Sequence, residues 1–180
     1  MQFRKHLRPE DLGAKLYEAL RIHLQSDGEL SLGHLLRSLD LEPASLHEQH
    51  SGDAMVGLMF AAALAAERSA SPRVAEQIVA GMKLEFLQHL REQGATDLQR
   101  AQWEETVATM FLQYRTCMEG YTGFEPPWKL GRLFFWNIVS KNVYDAMSIK
   151  ISTLYLMAAR DAAQSVLNVF GPVLLLPTGS

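Results

Sequence analysis

Apolar residues recur along this chain three and four positions apart, the spacing that lets a helix bury one face. Leu12, Leu16, Leu20 and Leu24 form one stripe with Tyr17 beside it, predicting a helix from just after Pro9 to the Asp27-Gly28 pair. Ser31 is placed to cap a short second helix whose Leu32, Leu35, Leu36 and Leu39 face inward. Pro43 breaks the chain, and residues 44–50 have room for a helical turn or two. The next helix is expected over 53–68, with Met55, Met59, Ala62 and Ala66 on one face and enough alanine to let a neighbour approach closely.

Ser71-Pro72 then reads as an N-cap followed by proline at the first helical position, opening a helix that reaches Gln93 and stops at Gly94. Thr96 and Gln99 have the spacing of a capping box at the head of a long helix bearing Val107, Met110, Phe111, Tyr114 and Met118. Residues 120–127 hold two glycines and two prolines and must be a loop. Two apolar helices are expected over 128–140 and 143–170, followed by an apolar tail, Val173-Leu174-Leu175-Leu176. About seven helices joined by short loops predict an all-α fold, a helical bundle or an orthogonal array. The simplest organisation is one domain over 1–180, with residues 1–9 as a flexible N-terminus and 171–180 as the tail.

A chain of 180 residues, 48% of them apolar, can bury a sizeable core without metal or disulfide staples. Cys117 is the single cysteine, which excludes an internal disulfide and fits a reducing cytoplasm. The net charge of −3 supplies no basic field for nucleic acid. Asp145, Lys150, Arg160 and Asp161 interrupt the apolar 143–170 segment too often for membrane insertion.

Candidate chemistry is sparse. His47-Glu48-Gln49-His50 spaces its histidines by three, where zinc peptidases need four on an unbroken helix. No Glu-x-x-His occurs, so the carboxylate-bridged metal bundles have no counterpart here. Glu85 and His89 are four apart, a spacing that permits a hydrogen bond along a helix surface. Cys117 sits among Tyr114, Met118 and Tyr121 and reads as a small hydrophobe, with Arg115 directed elsewhere. Nucleophile elbows, phosphate-cradling loops and dinucleotide fingerprints are all missing. No catalytic residue, metal or cofactor is therefore implied.

The densest feature is aromatic: Tyr121, Phe124, Trp128, Phe134, Phe135, Trp136 and Tyr144. A helix apolar on several sides is normally central in a core. The alternative is that Tyr121, Phe124, Trp128, Phe135 and Trp136, with Lys129 and Arg132 three apart between them, form a surface for a ligand or partner.

Two resemblances bear on function. The leucines at 32, 35, 36, 39, 41 and 46, with Ser45, resemble the helix-turn-helix of the TetR family of repressors, which implies a ligand-binding helical domain and a DNA-reading helix. Asp40 stands where that family's turn glycine is expected, and His47 and His50 replace aromatics. Between Leu32 and His50, Arg37 is the lone formal positive charge against Asp40, Glu42 and Glu48, which opposes phosphate binding. The opening Phe3-Arg4-Lys5-His6-Leu7-Arg8-Pro9-Glu10-Asp11-Leu12, then Leu16-Tyr17-Glu18-Ala19-Leu20, is similar to small bacterial all-helical proteins of uncharacterised function. That likeness implies a bacterial cytoplasmic protein and carries over no site. The leading expectation is a protein that acts by binding a protein partner, or a second copy as a homodimer, through its aromatic C-terminal half. A small apolar ligand is the alternative occupant, in a sensor with a degenerate helix-turn-helix.

Overall fold

The computed structural model describes residues 7–25, 31–38, 48–122, 127–139 and 146–170, with side chains for all of these except 48–50. Seven helices and no strand occur among them: α1 (Pro9–Gln25), α2 (Leu32–Ser38), α3 (Glu48–Ser69), α4 (Pro72–Glu92), α5 (Asp97–Met118), α6 (Trp128–Val139) and α7 (Ala146–Phe170). The expected all-α class is observed. The α3 helix begins five residues before the expected Asp53, because its first turn is polar and lies outside the apolar period.

Local chemistry accounts for the helix ends. The Ser31 hydroxyl accepts the His34 amide at 3.0 Å and caps α2. Ser71 occupies the N-cap position of α4 with extended backbone, but its side chain makes no capping bond; Pro72 alone marks the start. At the other end, Gly94 has φ +90, the Ala95 amide donates to the Leu90 carbonyl at 3.0 Å, and the Gly94 amide donates to Arg91 at 2.9 Å. This paired arrangement satisfies the last carbonyls and needs a residue without Cβ at its bend. Thr96 and Gln99 form the expected reciprocal capping box, with bonds of 3.2 and 2.8 Å.

Packing is organised around α3. From Ala54 to Ala66 every residue except Leu64 is buried, so this helix has no solvent face along that stretch. Five helices enclose it in the cyclic order α1, α4, α5, α6, α7, each touching the next and all touching α3, while α2 fits against α1 and α7. Phe60 of α3 packs edge-on to Phe111 and tilted against Tyr114 of α5, with centroids 5.4 and 5.1 Å away. Glu67 of α3 and Arg115 of α5 form an ion pair further along. Asn137 Nδ2 of α6 donates to the Tyr114 hydroxyl at 3.1 Å, satisfying a phenol that is fully buried.

The α1–α4 contact is the closest. A Cβ at Gly13 would overlap the Ile78 carbonyl oxygen and stand 2.8 Å from the Met82 amide nitrogen. A Cβ at Gly81 would stand 2.8 Å from the Glu10 Cα. The obstacles are backbone, which cannot rotate away as a side chain can. Gly13→Ala and Gly81→Ala should therefore each cost about 2–3 kcal/mol in urea unfolding. Once the helices are separated the second alanine meets less resistance, so the double variant should lose about 1 kcal/mol less than the sum. Additive losses would mean that the two glycines do not share one crossing.

Candidate functional site

Two regions stand out. The first is a cavity of about 630 Å³ lined from α1, α2, α3, α4 and α5, a size typical of small-molecule sites. Its aromatic members are Tyr17, Phe86 and Trp103, a chain of edge-on and tilted rings. Tyr17 and Phe86 have centroids 6.2 Å apart, Phe86 and Trp103 5.5 Å, and the His89 ring lies 6.1 Å from Tyr17. Gly52 of α3 makes room for Trp103, since a Cβ there would overlap the indole. Leu24, Leu32, Met55 and Leu90 complete the apolar lining.

Polar groups interrupt this lining. Arg21 of α1 donates from Nε and Nη2 to the Glu18 carboxylate at 2.8 and 2.7 Å, and from Nη1 to Gln25 Oε1 at 2.9 Å. That bond holds the Glu18 carboxyl below its ordinary range and raises the already high Arg21 value. His89 Nδ1 lies 4.0 Å from Glu92 Oε2, three residues on, and no bond joins it to Glu85, four residues back, as the spacing had permitted. Gln99, Gln102 and Thr106 face the cavity from α5, and Ser51 from α3. No Asp or Glu occurs among the described lining residues.

The second region is the outer side of α6 and α7. Trp128 is 53% exposed and Trp136 45%; Tyr121, 38% exposed, lies just past the end of α5, its amide donating to the Met118 carbonyl. Lys129 is exposed and Arg132 half-buried on the same helix. Met147 and Leu154, one heptad apart on α7, are both well exposed and flank exposed Lys150. Phe134 and Phe135 turn inward instead. Phe134 stacks on Tyr155 at 5.9 Å and contacts the α3 backbone at Gly57. Phe135 is only 6% exposed, which removes it from the surface set expected from the sequence and makes it a support for the helix. Phe124, Tyr144 and the apolar tail lie outside the described residues.

Cys117 is half-buried, and desolvation pushes its thiol up while Lys129 only partly opposes this, the reverse of an activated nucleophile. Arg115 is engaged by Glu67, away from the thiol, as expected. Among the described residues, no three His, Cys, Asp or Glu side chains converge as a metal site would need. His47 and the side chain of His50 lie outside that description. Among the same residues, no helix is long and apolar enough to cross a membrane. Comparison with protein-family models, curated proteins and solved structures finds no match.

The cavity was not foreseen from the sequence. Its residues come from five helices, and each sits in an ordinary amphipathic pattern. One local signal existed: Gln99, Gln102, Trp103 and Thr106 put polar groups and an indole on one side of α5 at spacings of three and four.

Burial raises the Tyr17 phenol well above its ordinary value near 10. The unfolded chain loses that proton first, so stability is complete below about pH 10 and falls as pH rises further. Buried Tyr114 and Tyr155 are shifted the same way for the same reason. Tyr17→Phe should make the fall in urea midpoint above pH 10 shallower, by about one proton in the linkage slope. An unchanged slope would show that this phenol ionises freely in the folded state.

Proposed function

We propose that this protein acts by binding, engaging a protein partner through the outer side of α6 and the adjoining start of α7. The observation that supports this most is the pair of half-exposed tryptophans, Trp128 and Trp136, on a helix otherwise anchored by Leu130, Phe134, Phe135 and Ile138. Tryptophan, tyrosine and arginine are the residues that most often dominate binding energy at interfaces. A rigid helix also presents them at low entropic cost. Among the described residues, no three His, Cys, Asp or Glu side chains converge to compete with this reading.

Charge narrows the partner. Lys129 and Lys150 are exposed among the apolar side chains, with Arg132 beside them. Two copies docking this face across a two-fold axis would bring like charges together. An apolar patch with an acidic rim on a different protein is the better complement. The ligand-sensor alternative draws its support from the 630 Å³ cavity. Its DNA-reading part would fall on residues 39–47, outside the described residues, and the local charge is unfavourable.

A photo-crosslinking amino acid placed at Trp136 in cells should join one discrete partner, absent when it is placed at exposed Leu84 of α4. Lys129→Glu with Lys150→Glu, both exposed, should remove that adduct while changing stability by less than about 1 kcal/mol. A dimer in native mass spectrometry that Trp136→Ser dissociates would move the reading to self-association. Finding no adduct and no dimer would overturn the interface altogether.

A further inference from the structure

We propose that the head of α5, residues 97–106, is a flap latched by Trp103, which opens locally over the cavity while the remainder of the helix stays on the bundle. The flap does not depend on the α6–α7 surface.

Burial divides α5 in two. From its middle onward the helix buries Val107, Met110, Phe111 and Tyr114 against its neighbours. Between Asp97 and Thr106 no residue is buried, and Leu98 is 70% exposed. Trp103 is the apolar side chain of this segment that packs on the core. It meets Phe86 edge-on, and its indole sits against the backbone of Gly52, where a Cβ would overlap it. Gln99, Gln102 and Thr106 face the cavity instead, and a side chain facing a cavity gains no packing from that direction.

Polar contacts do not fasten the segment either. The Thr96–Gln99 capping box, the Arg100–Asp97 ion pair and the 2.9 Å bond from the Thr106 hydroxyl to the Gln102 carbonyl all lie within residues 96–106. Among the described residues, none of these side-chain bonds reaches another helix. Both ends are suited to bend. Gly94, just before the segment, has φ +90, and a Cβ there would meet no neighbouring atom. At the other end the Thr106 back-bond is of the kind that weakens and bends a helix. Opening therefore gives up the packing of one indole, bares Phe86 and widens the cavity to solvent. Once off the bundle, so short a helical segment does not hold its own hydrogen bonds in water, and its amides exchange.

Native-state amide exchange of the full chain, followed residue by residue in low urea under conditions where closing outpaces exchange, tests the flap. Amides of 101–106 should exchange as one group, at least about tenfold faster than those of 108–114. Their urea dependence should be shared and weak, since little surface is exposed. Ile138→Val, a mild truncation in the core side of α6, should accelerate 108–114 about fivefold and leave 101–106 unchanged, because the open flap keeps that packing. Trp103→Leu should accelerate both groups by one factor of about tenfold, because the indole is released in either opening. Rates that fall smoothly from Asp97 inward would mean fraying of a helix end and would overturn the flap. Equal rates in the two groups, or acceleration of both by Ile138→Val, would overturn it too, since 101–106 would then open with the whole fold. Acceleration of 108–114 alone by Trp103→Leu would show that the indole stays packed during opening and would overturn the latch.

Discussion

Burial of α3 from Ala54 to Ala66 is the constraint on which the other helices depend. A helix with no solvent face can exist only if neighbours cover every side, and here five do so in a closed ring. The cover must also come close. Ala61, Ala62, Ala63, Ala65 and Ala66 keep the radius of α3 small, while Met55, Met59 and Phe60 fill the remaining space. Small side chains bring little apolar area of their own, so much of the burial comes from the larger residues that close over them. Phe111, Tyr114 and Phe134 are such residues, and each belongs to a different position on the ring or a different turn.

Within the ring, α1 and α4 meet in two ways along one contact. Near Gly13 and Gly81 they touch backbone to backbone, and no side chain fits between them. Further along both chains, contact passes through the rings of Tyr17, Phe86 and His89. Rings need more room than glycine. The cavity lies at that end, where α5 adds Trp103 and α3 contributes Ser51, Gly52 and Met55. Tight packing at one end and ring-sized spacing at the other are thus two consequences of which residues α1 and α4 carry.

The aromatic C-terminal half divides for a similar reason. Helix α6 is anchored on α3, α5 and α7, and a helix of twelve residues anchored on three neighbours still keeps one side outward. Phe134 and Phe135 face inward and Trp128, Lys129 and Trp136 outward, so one apolar run supplies both core and surface. Large exposed apolar side chains beside basic ones invite a partner, and this is what carries the functional reading. Gly131 lets α6 and α7 approach closely, with a Cβ there 2.8 Å from the Thr153 amide nitrogen, which makes the two helices one rigid support for that surface.

What the residues determine on their own is local. The capping box at Thr96, the glycine stop at Gly94, the Ser31 cap and the stripe of leucines in α1 each act within a turn or two of chain. Helix class follows from such short-range rules, and so does the partial burial expected of Cys117. Helix α3 began earlier than its apolar period because hydrogen bonding continues through polar turns that periodicity does not register. Three things were decided only by tertiary structure: the exposure of Trp128 against the burial of Phe135, the backbone contact at Gly13 and Gly81, and the cavity around Tyr17, Phe86 and Trp103. Each depends on which helix lies opposite, and side chains far apart in sequence have no pattern between them until the helices pack.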